Sequence, residues 1–163
     1  MDTMKRVYVE TSVVSYYCAR PSRDLIVAAH QQITRDWWEM RLGQCYQPFV
    51  SEIVVAECAR GDAAAAKQRL QAIEDLPRIA ADTGESERLA RRYVEALGIP
   101  EFAYADALHI ALAVLGNMDY MATWNCSHIA NGATIARLLE FNHAQGLCEC
   151  IICTPEELME GEP

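Results

Sequence analysis

The sequence contains few lysines and no long apolar run. Only two of its fourteen basic residues are lysines, and the net charge is −9, which argues against tight, non-specific binding of nucleic acid through a globally basic surface. The longest apolar stretch, residues 110–116, is far shorter than the ~20 residues that a membrane-spanning helix needs. We therefore expect no association with a membrane. A Walker loop, a glycine-rich dinucleotide turn and a His-Glu-x-x-His segment are also absent, which excludes the nucleotide hydrolases and zinc proteases that carry them.

A signal peptide is not predicted, because charged residues interrupt the apolar positions among residues 1–10. The seven cysteines are odd in number and scattered, which favours free thiols in a reducing cytoplasm over a disulfide framework. Cys148, Cys150 and Cys153 lack the second pair that a zinc site needs. Alternation within a strand explains their spacing better.

Twelve of the basic residues are arginines, which bind phosphate groups in bidentate fashion better than lysines do. Four of them could form a local path for a nucleic-acid backbone: Arg20, Arg23, Arg41 and Arg60. The alternative is that they are ordinary solvated or ion-paired surface residues.

Segments with helical and with strand-like spacing alternate along the chain. Strands are predicted at residues 3–9, 44–50, 78–81, 119–123 and 148–153, and helices at residues 24–42, 51–60, 63–76, 84–97, 103–116 and 131–141. Such alternation is typical of parallel βαβ units. We therefore expect an α/β fold with a central parallel sheet of about five strands, covered by helices on both faces. The 163 residues are predicted to form a single domain, residues 1–163, with a core at about 4–154 and a short polar C-terminal tail.

Three carboxylates occupy positions where a charged group is unexpected. Glu10 ends the apolar run of the first strand, at the strand end where α/β sheets place their ligand sites. Glu57 shares a helix face with apolar residues, and Asp106 is the only charged residue at positions 103–116. Burying the three separately would be costly three times over, whereas a shared divalent cation would compensate all of them. A salt bridge or a helix cap is the alternative for each acid taken alone.

A fourth polar position follows the strand predicted at residues 119–123. Asn125 lies just beyond that strand's carboxyl end, where it could supply an uncharged oxygen to the same site. Asn is also a common turn residue. Both interpretations of Asn125 stay open at the level of sequence.

Four segments carry a family resemblance through their order and spacing. They are Val-Tyr-Val-Glu-Thr-Ser at residues 7–12, Ser-Glu-Ile-Val-Val-Ala-Glu at 51–57, Ala-Asp-Ala-Leu-His-Ile-Ala at 105–111 and Asp-Tyr-Met-Ala-Thr-Trp-Asn at 119–125. In these segments the chain resembles a PIN domain, in particular the bacterial toxins of the VapC type. No segment is specific by itself, but the four together are, and they span most of the chain.

The resemblance implies a three-layer, Rossmann-like α/β/α sandwich and a ribonuclease that hydrolyses RNA phosphodiesters with Mg²⁺ or Mn²⁺. It also implies a homodimer and a cognate antitoxin that holds such a toxin inactive. The family's acidic positions correspond to Glu10, Glu57, Asp106 and Asn125. The first three are predicted metal ligands, and all four are predicted catalytic residues.

Two of these positions depart from the family pattern. The first acid is usually Asp and here is Glu10, and the fourth is commonly Asp and here is Asn125. Three negative charges in place of four suffice for one divalent ion, whereas a second ion would be held less well. The Trp-Asn pair together with residues 126–131 resembles a subgroup pattern among PIN-like proteins. Asn125 is therefore interpreted as a variant of the site and not as a lesion.

The predicted mechanism gives different roles to the four predicted catalytic residues. Glu10 and Asp106 would hold the metal, directly or through water, while Glu57 positions or deprotonates the attacking water and Asn125 orients another water. Five residues are predicted to support the site: Thr11, Ser12, Thr123, His109 and His128. The hydroxyls could bind phosphate oxygens or the acids, or cap helices. His109 could bind an acid or phosphate, or be a core histidine. His128 could contact the substrate, or be a loop or capping residue.

The tryptophans offer two further interpretations. Trp124 could stack on an RNA base, as aromatic residues do in single-strand recognition, or pack against the strand end. Trp37 and Trp38 are adjacent on one predicted helix, so they cannot both face the same core. One is expected to be buried, and the other could belong to an oligomer or antitoxin surface.

A second function competes with the ribonuclease. The substitutions at Glu10 and Asn125 also motivate an alternative, a PIN-like scaffold of low or no activity that binds RNA or a protein partner. Divalent metal binding distinguishes the two functions, because a scaffold that has lost its site should not bind the ion through Glu10.

Overall fold

The structure is a computed structural model that describes residues 4–160. Its centre is a sheet of four parallel strands: β1 (Lys5–Val9), β2 (Tyr46–Phe49), β3 (Tyr120–Ala122) and β4 (Ile151–Cys153). The strand order is β2-β1-β3-β4. The predicted parallel α/β sheet is confirmed, with four strands in place of about five. Thr3, predicted to begin the first strand, lies outside the described residues.

The strand predicted at residues 78–81 forms only an isolated bridge beside Val50, just after β2. Val50 N donates to Pro77 O (3.0 Å), and Ile79 N donates to Val50 O (2.8 Å). Three residues beyond Ile79, Asp82 already caps the next helix. The chain therefore turns away from the sheet before a ladder can form.

Helices occupy most of the remaining described chain. They are α1 (Thr11–Cys18), α2 (Leu25–Met40), α3 (Glu52–Cys58), α4 (Ala63–Ile73), α5 (Thr83–Leu97), α6 (Tyr104–Leu115), α7 (Gly132–Gln145) and α8 (Pro155–Glu160), with a 3₁₀ turn at Glu101–Ala103. All six predicted helices are present, whereas α1 and α8 were not predicted. Within residues 4–160, no helix is both long and apolar enough to cross a membrane.

Helix α1 forms from residues that favour strands, because it is rich in β-branched and aromatic side chains. Glu10 caps this helix, and its side chain accepts a hydrogen bond from Ser12 N (3.1 Å). Val13 and Val14 are fully buried. The cap and the packing of these two valines therefore override the local propensity.

Helix α8 lies in the segment predicted to be a polar tail. Thr154 N donates to Glu157 Oε2 (2.7 Å), and Glu157 N donates to Thr154 Oγ1 (3.4 Å), which is a reciprocal capping box. Pro155 occupies the first helical position, which proline favours. Leu158 is only 4% exposed. The core therefore extends past its predicted end near residue 154, while residues 161–163 lie outside the described part.

Helices cover both faces of the sheet. On one face Tyr46 of β2 packs against Trp37 of α2, with ring centroids 6.4 Å apart, and donates to Leu158 O of α8 (3.3 Å). On the other face Tyr8 of β1 reaches His109 of α6. The last three residues of β1 are fully buried, as expected of a strand that is covered on both sides. The layers are therefore helix, sheet and helix.

The end of β1 lies where the strand order reverses. The chain passes from β1 to β2 on one side, and β3 lies on the other side. In open α/β sheets such a switch point forms a crevice at the carboxyl ends of the two strands. Glu10 N donates to Ala122 O (3.1 Å) across this point. Glu10 therefore lies beside the first residues after β3.

The packing of α8 leads to a prediction for Leu158→Ala. Because Leu158 is buried, we expect the free energy of unfolding to fall by about 2–4 kcal/mol. The exposed Glu156 on the same helix is the control, and Glu156→Gln should change it by less than about 0.5 kcal/mol. Urea denaturation measures both. Equal effects would show that α8 does not contribute to the core.

Candidate functional site

Glu10 directly follows β1 and is held by hydroxyl groups. Its Oε2 accepts hydrogen bonds from Ser12 N (3.1 Å), from the Ser12 hydroxyl and from Thr123 Oγ1 (2.7 Å). Glu10 is only 6% exposed. Among the described residues, no lysine or arginine forms an ion pair with it. Neutral donors therefore satisfy this buried carboxylate without removing its charge.

The two hydroxyls that bind Glu10 also join α1 to the segment after β3. Ser12 Oγ accepts from Trp124 N (2.8 Å), and Thr123 Oγ1 accepts from Asn125 N (3.0 Å). Of the two roles considered for Ser12 and Thr123, the structure shows binding to an acid. The helix cap beside them is Glu10 itself.

Glu57 lies on α3 and pairs with a buried histidine. Its Oε1 is 2.5 Å from His109 Nε2. Burial raises the pKa of Glu57, but the hydrogen bond and charge of His109, the charge of Arg60 and the nearby Thr11 hydroxyl lower it, and the net pKa is below the usual value. Thr11 Oγ1 itself is buried without a hydrogen bond of normal length among the described residues. Glu57 is therefore ionised near neutral pH and lies beside an unsatisfied hydroxyl.

Asp106 lies in the first turn of α6 and pairs with a second histidine. Its Oδ2 is 2.8 Å from His128 Nδ1, and both side chains are partly exposed. His128 N in turn donates to Asn125 Oδ1 (3.1 Å). Asn125 therefore uses its side-chain oxygen to shape the turn after β3, and it connects to Asp106 only through His128.

The charges of all three carboxylates act on His109, which is 1% exposed. Burial lowers the pKa of His109, but the hydrogen bond to Glu57 and the charges of Glu10, Glu57 and Asp106 raise it above the usual value. The acids lie just after β1, on α3 and on α6, and of the three only Glu57 forms a hydrogen bond with the imidazole ring in the described part of the chain. Hydrogen bonds link six of the nine predicted site residues, Glu10, Ser12, Thr123, Asn125, His128 and Asp106. Glu57 and His109 form a separate pair, and Thr11 Oγ1 has no hydrogen bond of normal length among the described residues.

Glu10, Glu57 and Asp106 do not form one metal-binding cluster in the described part of the chain. Among residues 4–160, no three His, Cys, Asp or Glu side chains are close enough to hold one metal ion, because each acid is bound to its own neighbour. The hydrogen bonds of Glu10 and Asp106 in this part of the chain all go to a single oxygen, which leaves the second oxygen of each for a ligand. Carboxylate and hydroxyl oxygens are the donors that Mg²⁺ and Mn²⁺ prefer. The donor set therefore fits a hard divalent cation.

Sequence reasoning missed Tyr8 and Ser51. Tyr8 Oη lies 2.6 Å from His109 Nδ1 and 2.8 Å from Ser51 Oγ. Tyr8 was treated only as part of an apolar strand. The sequence did contain a signal for Tyr8, because a tyrosine in a strand expected to be buried needs a hydrogen-bond partner for its hydroxyl.

Trp124 is a packing residue. Its ring stacks on His30, with centroids 4.1 Å apart, and more distantly on Tyr16. Its Nε1 donates to Thr34 Oγ1 (2.7 Å). The packing interpretation therefore accounts for Trp124.

The two adjacent tryptophans of α2 differ in burial, as expected. Trp37 is fully buried, whereas Trp38 is only partly buried and stacks on Tyr17 with centroids 4.4 Å apart. Trp38 therefore already has a partner within the chain.

The family model of the PIN domain matches residues 7–125. The chain belongs to the PIN domain family. The match begins in β1 and ends at Asn125, so it spans all four predicted catalytic positions of this PIN domain. PIN domains are generally metal-dependent nucleases. Among curated proteins, no match to the chain is found.

The support of Glu10 leads to a prediction for Thr123→Val. Thr123 is fully buried, donates to Glu10 and accepts from Asn125 N. Losing its hydroxyl should lower the free energy of unfolding by about 1–3 kcal/mol. The control is Thr134→Val, at a buried threonine whose hydroxyl has no hydrogen bond in the described chain. Urea denaturation that showed no difference between the variants would contradict this account.

Proposed function

We propose that the protein is a divalent-metal-dependent endoribonuclease that hydrolyses RNA phosphodiesters, and that it is the toxin of a type II toxin–antitoxin pair. One observation carries the nuclease proposal. Glu10, Glu57 and Asp106 lie after β1, on α3 and on α6, near the switch point of a PIN domain, and the charges of all three act on the buried His109. Structural ion pairs alone would not require three acids whose charges act on one buried ring.

Glu10, Glu57 and Asp106 would hold Mg²⁺ or Mn²⁺. When bound, such an ion polarises the phosphoryl oxygens and lowers the pKa of water. Hydrogen bonds from Ser12 and Thr123 hold the Glu10 carboxylate in position. Three carboxylates without a lysine or arginine ion-pair partner in the described part of the chain favour a cation there.

Glu57 is the group that takes up the proton of the attacking water. Its lowered pKa keeps it ionised, and a general base must be in this state before the reaction. His109 fixes one of its carboxylate oxygens. His128 orients Asp106 in the same way, through the hydrogen bond between its Nδ1 and Asp106 Oδ2 (2.8 Å).

A local basic groove supports RNA as the substrate. The groove between α1 and α4 is lined by two arginines, Arg20 and Arg69, and by one acid, Asp62. Arg69 donates to Cys58 O (3.1 Å) and to Arg60 O (2.5 Å), which places it next to the end of α3, the helix of Glu57. Its positive charge offsets, close to the site, the net charge of −9 of the whole chain.

The test is cleavage of a mixed RNA pool by Asp106→Asn. We expect the variant to lose about 100-fold or more of the activity, since even groups that only support a ligand are worth about 10–100-fold. Asp75→Asn makes the same change at an exposed position and should retain full activity. Chelation by EDTA should abolish cleavage, and Mn²⁺ should restore it.

Two outcomes would reject this function. Cleavage that resists EDTA and is equal in all three proteins would show that the acids are not the site. RNA binding without cleavage by the wild type would favour the inactive scaffold. That second candidate is supported by the occupied Asn125 Oδ1, since no fourth acid is present.

The toxin role rests on the resemblance of the four motif segments to VapC-type proteins. Induced expression of the wild-type chain should therefore arrest bacterial growth, whereas Asp106→Asn should not. Growth curves with matched expression, checked by immunoblot, measure this. Equal growth of the two strains would reject the toxin role and leave the nuclease test unaffected.

The remaining parts of the proposal concern organisation. We place the protein in the cytoplasm, supported by seven free cysteines. We propose one PIN-like domain that pairs as a homodimer and binds an antitoxin. Leu25 and Ile26 are 85% and 70% exposed at the start of α2 and supply apolar surface for such contacts.

A further inference from the structure

A buried relay of hydrogen bonds runs through the centre of the site. Ser51 Oγ lies 2.8 Å from Tyr8 Oη, which lies 2.6 Å from His109 Nδ1. His109 Nε2 then reaches Glu57 Oε1 at 2.5 Å. Ser51, Tyr8 and His109 are 2%, 0% and 1% exposed. The relay is therefore sealed from solvent until it reaches Glu57.

The relay connects elements that carry site acids. Tyr8 belongs to β1, two residues before Glu10. Ser51 is the N-cap of α3, the helix that bears Glu57. Helix α3 is thus tied to the relay at its first turn by Ser51 and near its end by Glu57. Rotation or sliding of α3 against β1 would break one of these bonds.

The third element is α6, where His109 lies one turn after Asp106. Residues three apart on a helix share a face, so a fixed His109 also fixes the direction of Asp106. We infer that Tyr8 and Ser51 are positioning residues, which set the separation of the three acids through His109 and thereby the affinity of the site for a divalent cation. This inference rests on the proposed function.

The Tyr8 hydroxyl suits this role because it can donate and accept. Burial raises the pKa of Tyr8 well above its usual value, the Ser51 bond lowers it, and the charges of Glu10 and Glu57 raise it further. The phenol therefore keeps its proton. It donates to a neutral His109 while Ser51 donates to it, or it accepts from a protonated His109 and donates to Ser51. The relay is complete in both cases.

Packing alone does not explain the hydroxyl. A phenylalanine would fill the same space on a fully buried strand, and buried polar groups are costly unless every partner is satisfied. The chain offers a matched comparison in Tyr93, a fully buried tyrosine that donates to Asn142 Oδ1 (2.6 Å) between α5 and α7, away from the acids. Tyr93 has one hydrogen-bond partner and Tyr8 has two, but only the partners of Tyr8 lead to a site acid.

The experiment compares Tyr8→Phe with Tyr93→Phe. Tyr8→Phe loses two buried hydrogen bonds, to Ser51 and His109, and Tyr93→Phe loses one, to Asn142, so both melting temperatures should fall, that of Tyr8→Phe by more. Only Tyr8→Phe should weaken Mn²⁺ binding, by roughly 10–100-fold in the Kd measured by calorimetry, which is typical for groups that orient metal ligands. With saturating Mn²⁺, kcat on RNA should fall while KM stays constant.

Two results would overturn the inference in different ways. Equal Mn²⁺ affinity in Tyr8→Phe and Tyr93→Phe would reject the positioning role of Tyr8 while the proposed function stands. If wild-type protein shows no Mn²⁺ binding that Asp106→Asn removes, the proposed function and the relay both fail.

If Tyr8→Phe does not fold, Ser51→Ala tests the same inference. Its control is Asp82→Ala, because Asp82 caps α5 through Glu85 N (2.8 Å) and touches no member of the relay. Both variants lose a helix cap. Only Ser51→Ala should weaken Mn²⁺ binding, by less than Tyr8→Phe does, since the Tyr8 to His109 bond survives. Equal Mn²⁺ affinity in these two variants would reject the role of Ser51.

Discussion

The site depends on the cost of keeping carboxylates beside the end of a fully buried strand. Burying a charged group lowers the stability of the fold, and an ion pair with a lysine or arginine usually compensates for that cost. Here Glu10 is bound by hydroxyls, while Glu57 and Asp106 are bound by histidines. None of these partners carries a permanent positive charge. The acids are therefore held in position while their combined negative charge stays available to a cation.

The sheet and the acids could be predicted because their signals are local. Alternation of strand and helix spacing is enough to predict a parallel sheet, and Glu10 is conspicuous at the end of an apolar run. Helix α1 could not be predicted in this way, since its side chains favour a strand and its helical state depends on Glu10 as a cap and on the burial of Val13 and Val14. The same holds for α8, where one buried leucine outweighs a polar composition.

The support of the site was less predictable than its acids. Tyr8 binds His109 and Ser51 across 101 and 43 residues of sequence, and no periodicity reports contacts of that range. Asn125 shows the opposite case. Its preference for turns is a local property, and the structure uses its side-chain oxygen for a turn. The missing fourth charge is thus matched by a structural role at that position.

The position of β1 in the sheet has a consequence for biosynthesis. Glu10 is made early, but Thr123, which holds it, and His128, which holds Asp106, leave the ribosome only after most of the chain has been made. Contacts of such long range form late in folding. An incomplete or truncated product that ends before β3 therefore contains all three acids but lacks Thr123, which binds Glu10, and His128, which binds Asp106.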